Sequence, residues 1–126
     1  MIIIRTAEDF ARALSQPPDL ELKTLLQTHA DRLAEYPDFT FEELAMFAIV
    51  QPGDGLNTLS DGLGWSLLDS DGSFAHPVEL IAQHDRWIEA TFILSDDGFG
   101  LVLFVPIDPR TDKMLIEACK RSLIEA

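Results

Sequence analysis

From Phe99 to Val105 the chain is apolar on both faces of an extended strand. Phe99, Leu101, Leu103 and Val105 fall on one side, Val102 and Phe104 on the other. A strand of that kind belongs at the centre of a sheet covered on both faces, by helices or by a partner. The preceding run, Trp87 to Leu94, alternates instead: Ile88, Ala90, Phe92 and Leu94 share one face, with Trp87, Glu89, Thr91 and Ile93 on the other. Ser95-Asp96-Asp97-Gly98 separates the two runs, and Asp-Gly supplies the positive φ of a tight turn. The pattern predicts a β-hairpin over about 87–94 and 99–105. Met46 to Gln51, compact and apolar before Pro-Gly, is expected as a strand beside it, with a helix through Val50 as the alternative.

Helices are expected to cover this sheet. Ile2 to Ile4 reads as an edge strand or a docked arm, and Thr6 caps a first helix to about Ser15, where Pro17 and Pro18 end it. Asp19 caps a second helix to about Tyr36, along which Leu22, Leu25, Leu26, His29, Leu33 and Tyr36 recur at helical steps. Thr40 and Glu43 have capping-box spacing for a short turn from Phe41 to about Ala45. Asp54 is expected to cap a short helix carrying Leu56, Leu59 and Leu63. Asp69 to Gly72 is a turn signal, and His76-Pro77 is expected to begin another short helix through about Gln83. Thr111 or Asp112 starts a last helix holding Leu115, Ala118, Cys119 and Leu123. The expectation is one α+β domain over 1–126: a small, mainly antiparallel sheet covered by an N-terminal helix pair and a C-terminal helix. A dimer built on the sheet would be another way to cover the doubly apolar strand.

Charge narrows the partners. Between Leu33 and Asp85 there is no Lys or Arg, yet ten acids stand there: Glu35, Asp38, Glu42, Glu43, Asp54, Asp61, Asp69, Asp71, Glu79 and Asp85. They supply most of the formal net charge of −13. Such a field repels phosphate backbones and anionic lipid and attracts basic protein surfaces. Neither direct nucleic-acid binding nor membrane association is therefore expected. Arg110, Lys113, Lys120 and Arg121 give the last helix a basic character, too small a patch to reverse that. The single cysteine, Cys119, excludes an intramolecular disulfide and a cysteine metal cluster. With no leader read at Met1 to Arg5, the cytoplasm is the expected compartment.

Candidate chemistry is sparse. Glu89, between Trp87 and Thr91 on the less apolar face of its strand, is the best single acid–base candidate. His29 on the apolar helical stripe and His84 before the hairpin complete the catalytic candidates; each also reads as ordinary packing or turn chemistry. A calcium loop starting at Asp69 fails, because its sixth and twelfth positions are Phe74 and Leu80. Gly64-Trp65-Ser66-Leu67-Leu68 lacks the closing glycine of a nucleophile elbow. Gly53-Asp54-Gly55 and Gly62-Leu63-Gly64 lack the Lys-Ser/Thr of a phosphate loop. No metal site and no cofactor is expected.

Ala48-Ile49-Val50-Gln51-Pro52-Gly53-Asp54, with the run from Trp87 through Phe92-Ile93-Leu94-Ser95-Asp96-Asp97-Gly98-Phe99-Gly100 to Pro106, resembles an uncharacterised family of small acidic bacterial proteins. The resemblance spans about half the chain and implies a bacterial cytosolic origin, with no activity to carry over. The residues themselves read first as a non-enzymatic module that binds a basic protein. Trp65, Phe74 and Trp87 would form the apolar anchor, and Asp54, Asp61, Asp69 and Asp71 the acidic surround. A DNA-mimic inhibitor and a small hydrolase using Glu89, His29 or His84 are the alternatives.

Overall fold

In a computed structural model, which describes residues 1–38, 40–95 and 99–125, the chain runs through ten elements. In order they are β1 (Ile2–Ile4), α1 (Ala7–Ser15), α2 (Leu20–Leu33), α3 (Phe41–Leu44), β2 (Ala45–Ile49), α4 (Leu56–Leu63), β3 (Val78–Gln83), β4 (Trp87–Ile93), β5 (Gly100–Pro106) and α5 (Lys113–Glu125). The strands make one open sheet of five in the order β1-β2-β5-β4-β3. Only β2 and β5 run parallel; the other three pairings are antiparallel. The fold is α+β.

The doubly apolar strand stands in the middle of the sheet, and every residue of β5 is buried. On one face Phe47, Ile49, Val102 and Phe104 pack with Phe10 of α1 and Leu22 and Leu26 of α2. On the other, Ala48, Ala90, Phe92, Leu101 and Leu103 meet Leu59 and Leu63 of α4 and Leu115, Ala118 and Cys119 of α5. A single chain thus covers both faces of β5. Fully burying a side chain such as Leu103 or Phe104 contributes roughly 1.5–3 kcal/mol, so these two layers hold the fold together.

Helix ends follow the capping residues. Thr6 Oγ1 accepts the Asp9 N–H at 3.0 Å, Asp19 Oδ1 the Leu22 N–H at 2.8 Å, and Asp112 Oδ1 the Met114 N–H at 2.9 Å. Gly64 closes α4 at φ +86°, where a side chain would be strained.

Four local expectations are corrected. Val78 to Gln83 is a strand and not a helix, because its backbone pairs with β4 from Val78↔Phe92 to Gln83↔Ile88. The tertiary ladder overrides a short stretch of weak helical pattern. Helix α2 stops at Leu33, before Tyr36, which is 50% exposed; Pro37 disfavours helical backbone at the residue before it. Thr40 makes no side-chain cap on α3. Asp54 does not cap α4, whose N-cap is Gly55; its carboxylate accepts the Gln51 N–H at 3.0 Å and pairs with the N-terminal ammonium at 2.7 Å. The expected turn residues Asp96, Asp97 and Gly98 lie outside the described residues.

Candidate functional site

The three sequence-predicted acid–base candidates come together. On α2 the buried residues Leu22, Leu26 and His29 form one stripe aimed at the sheet, which brings the imidazole onto β4 and β5. Alternation along β4 turns Trp87, Glu89 and Thr91 toward the same layer. His29 Nε2 lies 3.0 Å from Glu89 Oε2, and the ring meets Phe47 and Phe104 edge-on at centroid distances of 5.3 and 5.9 Å. His84 sits in the turn between β3 and β4, where its N–H donates to the Trp87 carbonyl at 2.8 Å. Its Nε2 stands 3.6 Å from Glu89 Oε1, beyond hydrogen-bonding reach, and is buried with no partner among the described residues.

Glu89 remains ionised in this setting. Burial pushes its carboxyl upward. The hydrogen bond from His29 and the attraction of His29, His84 and Arg32 outweigh that, and the net shift is below the usual carboxylate range. Each imidazole addresses a different oxygen of Glu89, so the three side chains do not converge on a point. Among the described residues, no group of three or more His, Cys, Asp and Glu is placed to hold a metal ion.

Access is restricted. The side chains of His29 and Glu89 are 8% and 13% exposed, whereas that of His84 is 32% exposed. His84 borders a shallow open groove with Leu20, Glu21, Thr24, Leu25 and Asp85. The cluster lies beneath α2 and reaches solvent through one ring. Two further polar ties join the same elements: the Trp87 indole N–H donates to Asp19 Oδ2 at 2.9 Å, and the Arg86 N–H donates to Glu21 Oε1 at 2.8 Å. The pairing of His29 with Glu89 is thus the innermost of the polar links from α2 and its cap to β4 and the turn before it.

The expected apolar anchor is not one patch. Trp87 is buried at 4% exposure on the face of α1 and α2. Trp65 and Phe74 pack on the opposite core, Trp65 against His76 at 4.6 Å and Phe74 against Phe92 at 4.9 Å. The sheet separates them from Trp87. Among the acids, Asp61 is exposed on α4, and Asp69 and Asp71 lie in the exposed turn closed by the Leu68–Phe74 bridge. Asp71 accepts the Ser73 hydroxyl at 2.6 Å and the Ser73 N–H at 3.0 Å, which places its carboxyl below the usual range. Cys119 is buried, and burial pushes its thiol up to about 12.

Sequence reasoning missed the free edge of β3, because Val78 to Gln83 was expected to be helical. The apolar-rich run Val78-Glu79-Leu80-Ile81, bounded by Pro77 and by Asp85-Arg86, was the signal that could have shown it. No helix among the described residues is long and apolar enough to cross a membrane. Comparison with protein-family models, with curated proteins and with solved structures finds no match.

Proposed function

We propose that this protein is a non-catalytic, cytoplasmic interaction module that engages a basic surface on another protein. One observation carries the reading. Among the described residues, Asp54 alone of the ten acids between Leu33 and Asp85 forms a close ion pair, with the N-terminal ammonium, while Asp71 feels the weaker attraction of Arg121. Outside that stretch Arg12 pairs with Glu8 and Asp9, Arg86 with Asp19, and Arg110 with Asp108. Exposed carboxylates of one sign, most of them without a close cation, speed encounter with a basic partner and select against acidic ones. They come from α3, α4, β3 and the turns between, which supports a general field over an imitation of regularly spaced phosphates.

The test is partner capture at rising ionic strength. Capture at low salt should fall steeply with salt, and a variant with Glu42, Glu43 and Asp61 changed to Lys should lose it. The same partners held at low and high salt, or by the reversed variant, would refute the reading.

The hydrolase reading comes second, favoured by Glu89 standing between two imidazoles. It ranks lower because the inner pair is closed beneath α2, where it ties helix to sheet. Hydrolysis of a model ester or glycoside that Glu89→Gln abolishes without loss of fold would promote it.

A further inference from the structure

We infer that the outer edge of β3 receives an extended basic peptide segment of the partner protein, added to the sheet as a sixth strand. The inference rests on the acidic-module reading and names where the partner docks. Among the described residues β3 is terminal in the sheet order and pairs only with β4. The hydrogen bond from the His84 N–H to the Trp87 carbonyl sets the alternation along this hairpin. Ala82 and Leu80 then bond toward β4, while the backbone groups of Gln83 and Ile81 point outward. Leu80, on the face of Thr91, is 53% exposed at this edge.

On the opposite face an open groove of about 450 Å³ runs between β3 and the end of α5. Phe74, Val78 and Ile81 supply its apolar wall and Glu79 and Glu125 its charges, and among the described residues no Lys or Arg lines it. A strand laid along β3 would send alternate side chains over Leu80 and into this groove, which suits a segment alternating apolar residues with Lys or Arg. The irregularity between Val78 and Leu80 confines backbone pairing to the stretch from Leu80 to Gln83. A second copy is the poorer occupant, since an antiparallel pairing of two chains of net charge −13 would set the acidic ends of β3, Glu79 and Asp85, near acids of the other copy.

The test uses a fluorescent, end-capped peptide of alternating Lys and Val, its Glu-Val counterpart, and the full-length protein. The Lys-Val peptide should bind, protect the Ile81 and Gln83 amides from hydrogen exchange, and lose about tenfold in affinity on going from low to physiological salt. The Glu-Val peptide should not bind. Gln83→Pro removes an outward N–H and keeps the bonds to β4, so it should abolish binding with thermal melting retained. Glu79→Lys with Glu125→Lys should weaken Lys-Val binding about tenfold. Unchanged binding to Gln83→Pro, or protection elsewhere than β3, would overturn the edge site while salt-sensitive partner capture kept the acidic reading intact. Equal binding of both peptides would refute the charge complementarity on which both rest. A dimer in sedimentation that Gln83→Pro returns to monomer would give the edge to a second copy and overturn the peptide assignment.

Discussion

Asp19 divides its two carboxylate oxygens between the Leu22 N–H, 2.8 Å from Oδ1, and the Trp87 indole, 2.9 Å from Oδ2. One side chain therefore both starts α2 and fastens it to β4. Asp19→Ala should cost about 2–3 kcal/mol, the sum of a lost helix cap and an indole N–H left without its acceptor. Asp19→Ser, which restores only the cap, should recover about 1 kcal/mol of that. Urea unfolding followed by tryptophan fluorescence measures both. Equal losses in the two variants would show that the indole bond contributes everything and the cap nothing.

Glu89 gives the fold an acid-sensitive component. Its carboxyl titrates lower in the folded chain than in the unfolded one, so the stabilisation is complete above the unfolded value of about 4.3 and disappears as pH falls through the folded value. Glu89→Gln should therefore be less stable than the parent at neutral pH, with the gap closing in the acid range below the ordinary carboxylate pKa. His29→Ala, which leaves a buried carboxylate without its hydrogen bond, should cost about 2–3 kcal/mol at neutral pH. Denaturant midpoints across pH test this, and a gap that stays constant into acid would contradict it.

Cys119 should be inert in the native protein. It is buried among the α4 and α5 contacts, with its thiol pushed up to about 12. A colourimetric disulfide reagent should react with it only at the rate of unfolding and quickly in denaturant. Rapid labelling under native conditions would mean that α5 opens readily from the sheet.

The central strand was legible because seven consecutive positions, Gly100–Pro106, had to be buried on both sides, a demand few folds meet. Capping chemistry was equally legible at Thr6 and Asp19, where a short polar side chain reaches N–H groups a few residues on. Asp54 shows the limit, since its local spacing suited a cap while a charge far along the chain from it claimed the carboxylate. Val78 to Gln83 escaped for a similar reason: six residues carry too little periodicity to outweigh a pairing partner not evident from local pattern. His29, Glu89 and His84 were each identifiable as candidates, but nothing in sequence order told that α2 would lay the first over the second.

The parallel pairing of β2 with β5 has a kinetic consequence. Strands β3, β4 and β5 are joined through near neighbours in the chain, whereas β2 must return from the other half to align Ala45 with Gly100. Closing that long excursion spends chain entropy before any contact rewards it, so mutations that weaken the β2–β5 pairing should slow folding more than mutations in the β3–β4 hairpin. A chain in which that pairing is delayed should leave one flank of the apolar β5 open to association.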